Sequence, residues 1–370
     1  MTPSALAPSI WKTRALALFA LIERYPRLIA LYGFVSGVAS FFMVDRGARL
    51  ATLIAAIMLV SWLLLLLESL VRRLVARLSG WELPPPLLRF ATQLIHQESL
   101  FFVLPFFLVT TSWNSGQSLF TGLLVVAALV SVIDPLYHQR LANRRWLYLA
   151  FHTLTLFAVL LTALPIILHL STAQSYPLAL GIAVLLSFAS LYSVMRVRRW
   201  RGLALIGLTL LLGLGGWLAR VWVPPATLWL TEVAVTTRMD DGNRTPGDSV
   251  HDLDIAQLRA QGLFAYTAIN APRGLNERIY HEWWHNGEPI DRIALDIHGG
   301  RKAGYRAWTH KQNFPDDAEG RWQVKVLTEA GQMIGTLRFH VSGPNEAADD
   351  AASSDDHAAA VVPLPQPKNQ

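Results

Sequence analysis

The chain has no cysteine. That removes disulfides, thiolate metal sites and cysteine nucleophiles at once, so a domain outside the cytoplasm has to rest on its core alone. Charge is scarce as well: 16% of the 370 residues are Asp, Glu, Lys or Arg, while 52% are hydrophobic. This balance excludes both an ordinary soluble domain and a disordered chain. Acidic residues are rarest where the apolar runs are longest. Residues 1–225 hold 18 Lys and Arg against 6 Asp and Glu, residues 226–345 hold 13 against 15, and residues 346–370 hold 1 against 5. The net charge of +6 thus comes from basic residues that punctuate greasy stretches, which is the pattern of membrane topology and not of a phosphate-binding face. A lipid bilayer is the expected partner and nucleic acid is not.

A hydrocarbon layer about 30 Å thick takes roughly 20 apolar residues of helix. Seven stretches meet that need: 28–44, 50–71, 88–111, 119–137, 146–169, 176–195 and 203–223. Residues 1–27 read as a retained cytoplasmic leader without a signal-peptide cleavage pattern, whose segment 10–22 has the amphipathic make-up of an interfacial helix. Counting Lys and Arg on alternate sides of the spans gives fifteen on one side and three on the other. Basic residues resist translocation, so the N-terminus is expected in the cytoplasm and the C-terminal part outside.

Ionisable residues inside hydrocarbon are costly and point to function by default. His96, Gln97 and Glu98 fall in the third stretch, Asp134 in the fourth and His152 in the fifth. Alternating direction puts all of them in the cytoplasmic half of the bilayer, where they can meet. Two readings stand for this group: proton or ion handling by a buried histidine and carboxylate cluster, and plain interhelical hydrogen bonding, the commoner role of polar residues in membrane bundles.

After Pro224 and Pro225 the pattern changes to alternating apolar and polar residues, the mark of a half-buried sheet. Strands are expected at 229–237, 263–270, 278–285, 290–297, 304–310, 321–327 and 333–341. Asn286-Gly287 supplies the two left-handed positions of a type I′ hairpin. Seven strands in such a length predict an all-β, antiparallel sandwich of immunoglobulin type over 226–345. Residues 238–260 form a polar excursion, read as a mobile loop or a short helix, and 346–370 as a disordered acidic, Pro-rich tail.

His281-Glu282-Trp283-Trp284-His285 spells HExxH. Zinc chemistry needs that motif on a helix, where positions i and i+4 share a face about 6 Å apart. On a strand the two histidines stand about 13 Å apart, too far to grip one ion. Asp240 to Asn243 lacks the register of a calcium loop. Neither run therefore signals a metal, and nothing in the sequence signals a cofactor or a catalytic set. An aromatic and basic group, Trp283, Trp284, Tyr305, Arg306, Trp308 and Lys311, is the candidate surface for an envelope protein, a glycan or a lipid headgroup.

The run YRAWTHKQNFPDDAEGRWQVKVLTEAGQMIGTLRFHV, with YHEWWHNGEPIDRIALDIHGG before it, resembles the bacterial domain family of unknown function DUF 2914. The residues that carry the likeness are His281, Trp283, Gly287, Gly320, Trp322, Val324, Val326, Gly331, Phe339 and Val341. The multispan half, with HQESLFFVLPFF, is similar to the membrane region DUF 5924. The resemblance implies a Gram-negative inner-membrane protein and transfers no activity. The expectation is a membrane protein that displays a periplasmic β-domain for envelope interaction; the alternative is a transporter or proton-coupled protein that uses the buried polar cluster.

Overall fold

A computed structural model describes residues 48–79, 85–194, 199–301 and 303–343, together with Arg24, Leu31, Val35 and Ala39. Apart from those four residues, the stretch at 28–44 and the leader lie outside the described residues, as does the acidic tail. Two compact units divide the chain near Leu228.

The first unit is helical. Its elements are α1 (Ala48–Leu66), α2 (Glu68–Ser79), α3 (Pro85–Thr110), α4 (Gln117–Val132), a π-helical turn (Pro135–Leu141), α5 (Arg145–Leu168), α6 (Thr172–Val194) and α7 (Arg199–Leu218). Among the described residues three segments are long and apolar enough to cross a membrane, Leu88–Thr110, Arg145–Leu168 and Gly202–Trp222, and two bent pairs raise the number to five if each pair is one span. The expected stretch 50–71 is not one straight rod. It bends by 81° between the α1 and α2 segments, where amphipathic α2, with Arg72, Arg73 and Arg77, takes over from a helix without charge past Arg49.

The stretch 119–137 breaks too, by 101°. Ile133 is extended, with ψ at 94°, and Pro135 follows two residues later. Proline has no N–H to give to the residue-131 carbonyl, and its ring collides with that carbonyl, so the helix stops short of it. The sixth stretch forms α6, whose apolar part, Thr172–Phe188, is shorter than a full span.

Core formation explains the placement of α5. Leu156, Ala158, Val159, Leu160, Leu161, Ala163 and Leu164 are all buried, so this helix is apolar all round because neighbours cover it all round. In contrast, α7 is just as apolar and leaves Leu203, Leu210, Leu211, Leu214 and Leu218 more than half exposed.

The second unit is built from sheets. Its strands are β1 (Trp229–Thr236), β2 (Met239–Asp240), β3 (Thr245–Pro246), β4 (Asp252–Asp254), β5 (Leu263–Asn270), β6 (Asn276–His285), β7 (Glu288–His298), β8 (Tyr305–Lys311), β9 (Gly320–Thr328) and β10 (Met333–Ser342), with a short helix α8 (Ile255–Gln261) after β4. One sheet has the order β1-β5-β8, a second β4-β10-β9-β6-β7, and β2 pairs with β3 alone. Pairing is antiparallel except where β4 lies parallel to β10.

All seven expected strands form, within two residues of their expected ends. The polar excursion is ordered, contrary to the loop reading: it contributes β2, β3, β4 and α8. Met239 packs with Trp308 against Tyr266, Ala234 and Ala268, covering the outer side of the three-stranded sheet.

Alternation sets the core of the five-stranded sheet. Ile279, His281, Trp283 and His285 of β6 and Trp322, Val324 and Val326 of β9 are buried, as are Leu337, Phe339 and Val341 of β10. Their rings interlock: Trp322 stacks on Phe339 at 5.9 Å and on His285 at 4.5 Å, while Trp283 meets Phe339 edge-on at 6.2 Å. Asn286 (φ 47°) and Gly287 (φ 91°) form the left-handed turn expected between β6 and β7.

Candidate functional site

Two groups of residues gather chemistry, one in each unit. In the helical unit α3, α5 and the π-helical turn bring three amphoteric side chains into a string. His96 is fully buried. Its Nδ1 lies 2.7 Å from the hydroxyl of Tyr137 and its Nε2 lies 2.9 Å from Nδ1 of His152. Both lengths are those of good hydrogen bonds. Trp62 of α1 closes one side, 5.6 Å from the His96 ring and 4.8 Å from the His152 ring, with its indole N–H held by the Ser99 hydroxyl at 2.8 Å. Phe151 meets His96 edge-on at 5.2 Å, and Tyr148 stacks against His152 at 6.2 Å.

The expected polar group is therefore brought together in part. His96 and His152 touch directly. Asp134 is half-buried at the helix break and accepts a 2.8 Å hydrogen bond from Nε2 of Gln93, which also donates to the Ser131 carbonyl. Glu98 is separated from His96 by geometry: two residues along a helix is a rotation of about 200°, so the pair points to opposite faces. Gln97 is buried, and its Nε2 has no hydrogen-bond partner among the described residues.

Sequence reading missed Tyr137, Trp62 and Gln93. Tyr137 was placed at the end of a straight span, and only the bend before Pro135 turns its hydroxyl back to His96. Gln93 was legible as the residue one turn before Gln97 on the same helix face.

In the β unit the expected surface group splits. Trp283 is corrected from surface to core: it has no exposed area, because alternation along β6 turns odd-numbered side chains inward. Lys311 is also internal, buried on β8 and paired with Asp291 of β7. Arg306 donates to the carbonyl of Asn243 at 2.8 Å, and Trp308 lies under Arg244, 5.2 Å from the guanidinium carbon. Both are thus engaged by the excursion. Tyr305 is half-buried, with Arg301 over its ring at 5.2 Å.

Trp284 alone of that group lies on the outer face of the five-stranded sheet. Its ring carries the Lys325 ammonium at 3.3 Å, and its indole N–H donates to Glu282. Partial burial holds the Lys325 ammonium below its ordinary pKa, opposed by the Glu282 carboxylate. Beside them Arg292 covers Tyr280 at 3.9 Å and pairs with Glu282 at 3.3 Å. Arg278 pairs with Asp296 at 2.9 Å and holds that carboxyl below its usual range. Arg321 and Arg338 are exposed on the same face. Five cations, Arg278, Arg292, Arg321, Lys325 and Arg338, thus share one surface with the carboxylates Glu282 and Asp296, and Asp252 and Asp254 of β4 lie on the same face at its β10 edge.

The HExxH residues are on a strand, as expected. His281 points inward and bridges the two sheets, with Nε2 3.1 Å from the Thr267 hydroxyl of β5 and Nδ1 3.1 Å from the Thr309 hydroxyl of β8. His285 bonds the Glu319 carbonyl at 2.8 Å. Each ring thus has its own partners in the sheet, and the two do not face a common point.

Residues 8–265 match the model of the Family of unknown function (DUF5924), and residues 276–341 match that of the Protein of unknown function (DUF2914). No curated protein matches the chain. Since the first match spans well over half of the sequence, the chain belongs to the Family of unknown function (DUF5924), with a DUF2914 segment following it.

Proposed function

We propose that this is an integral inner-membrane protein whose seven-span bundle anchors a periplasmic β-sandwich of immunoglobulin type, and that the sandwich holds an anionic ligand of the cell envelope. The reading adds the stretch at 28–44 and the short apolar helix α6 to the five spans counted above. Support for the bilayer comes from α7, whose long leucines lie exposed to whatever surrounds the bundle. Support for the orientation comes from the imbalance of basic residues between alternate connections. Support for the ligand comes from the group of cations on the outer face around Lys325 and Trp284, where Arg321, Lys325 and Arg338 are spaced along adjacent strands, and this is the observation that carries the function. Surface cations spaced along adjacent strands attract carboxylates or phosphates, and the half-buried aromatic rings beneath them fix where the cations sit.

Co-sedimentation of the full-length, detergent-solubilised protein with isolated peptidoglycan sacculi tests the reading. Wild-type protein is expected to sediment with the sacculi at low salt and to be released as salt rises, because screening shortens the reach of exposed charges. The combined change Arg321→Ala, Lys325→Ala and Arg338→Ala is expected to lower the bound fraction several-fold while the protein still elutes as a single species. Equal binding by that variant, or no binding by either protein, overturns the assignment.

A further inference from the structure

We infer that Tyr137, His96 and His152 form a proton relay within the helical unit. The relay is independent of the envelope-ligand reading and shares with it only the membrane setting. A purely structural tie needs a fixed donor and a fixed acceptor. Here each of the three groups is both, so every hydrogen bond in the string can point either way. In one polarity the Tyr137 hydroxyl donates to His96 Nδ1 and His96 Nε2–H donates to His152 Nδ1. In the other, His152 Nδ1–H donates to His96 Nε2 and His96 Nδ1–H donates to the Tyr137 oxygen.

Transfer converts the second polarity into the first. A proton arrives at Nε2 of partly buried His152, the ring nitrogen outside the string. The Nδ1 proton of that ring passes to His96 Nε2, the His96 Nδ1 proton passes to the Tyr137 oxygen, and the original hydroxyl proton of Tyr137 is given up to the hydroxyl of Tyr148, its hydrogen-bond partner, which sheds its own proton in turn. One proton has entered and one has left and each ring is neutral again; a second passage in the same direction follows once each imidazole has turned its Nε2–H toward the next acceptor and the Tyr137 hydroxyl has turned away from His96. The distances of 2.7 and 2.9 Å let each hop occur without movement of a helix.

The surroundings fit a carrier of charge that does not store it. From α1 comes Trp62, and from α5 Tyr148 and Phe151, all aromatic. The titratable neighbours are Tyr148, hydrogen-bonded to the Tyr137 hydroxyl, Glu68 of α2, within electrostatic reach of Tyr148, and His138, whose ring is 5.2 Å from that of Tyr137. Asp134 is tied to Gln93. Glu98 lies on the opposite face of α3 from His96. The hydrogen bonds of the two rings along the string run to Tyr137 and to each other.

The test uses the full-length protein in vesicles of phosphatidylethanolamine and phosphatidylglycerol loaded with a pH-sensitive dye, with a potassium diffusion potential as the driving force. Flotation with the vesicles, scored separately, reports on the membrane setting alone. Proton flux above that of protein-free vesicles is expected. It should fall at least about tenfold in His152→Gln and His96→Gln, in keeping with the loss of a positioned acid–base group. Tyr137→Phe keeps the ring and loses the hydroxyl, and should lower flux several-fold. Because His96 is deeply packed and its variant can misfold, His152→Gln and Tyr137→Phe decide the outcome, each judged by single-species elution. Wild-type flux no greater than that of empty vesicles overturns the relay, as does undiminished flux in either of those two folded variants.

Discussion

His281 sits where protonation and packing compete. The Thr267 hydroxyl donates to the Ala307 carbonyl at 3.2 Å, so it is left to accept from His281 Nε2–H, and the Thr309 hydroxyl is free to donate to Nδ1. The neutral ring is satisfied on both sides. Burial lowers its pKa from the ordinary 6.5 to about 4. The unfolded chain therefore binds the proton more readily than the folded one. The stabilisation is complete above pH 6.5, drains away as the pH falls toward 4, and changes little below that. The shift corresponds to about 3 kcal/mol. Hydrogen exchange of the β6 amides, corrected for the intrinsic rate, is expected to show protection weakening across this interval. His281→Gln keeps a donor and an acceptor and cannot titrate, so its protection should stay nearly flat over the same pH range. A parallel loss in both proteins would place the titrating group elsewhere.

The β6–β7 hairpin shows how an element is fixed by residues outside it. Oδ1 of Asn286 accepts from the Arg321 backbone N–H at 3.0 Å, and Gly320 adopts φ 115° beneath it. A Cβ at residue 320 would stand 2.6 Å from that same Oδ1, whereas a Cβ at Gly287 meets nothing within 4 Å. Both positions are left-handed, so Ala carries a strain of about 1–3 kcal/mol at either. Gly320→Ala adds the collision and should depress the melting temperature more than Gly287→Ala; the reverse order would show that Asn286 moves aside freely. Such alternating strands were legible in the sequence because one face is apolar and the turn residues announce the ends, as in Arg321 to Leu327. The excursion at 238–260 was not, since its two-residue strands are too short to alternate and rely on Tyr266 and Trp308 to hold Met239. Helix existence was likewise legible and helix straightness was not: nothing in the apolar run before Pro135 reports a 101° bend. The histidine pair was visible as two polar residues within long apolar stretches, but its third member depended on that bend.

Across the whole molecule, the division between the two matched families does not follow the division between structural units. The first match ends at residue 265, inside β5, and the second begins at 276, the start of β6. Both sheets mix strands from the two segments: β5 pairs with β8 from Leu263↔Lys311 to Ile269↔Tyr305, and β4 pairs with β10 at Val341↔Leu253. His281 reaches Thr267 across the same boundary. Residues 276–343 alone would leave β8 without its neighbour β5 and β10 without its neighbour β4, while 229–343 contains every strand. Dispersed amide proton resonances are expected from the longer fragment and a collapsed, unfolded spectrum from the shorter; a well-dispersed spectrum from 276–343 would make the DUF2914 segment an independent folding unit. The place of β10 between β4 and β9 also sets a schedule for biosynthesis. β4 leaves the ribosome some eighty residues ahead of the strand it must lie beside, so the larger sheet closes only after Ser342 has been made, and until then the growing chain has an unfinished edge that a holding chaperone would be well placed to cover.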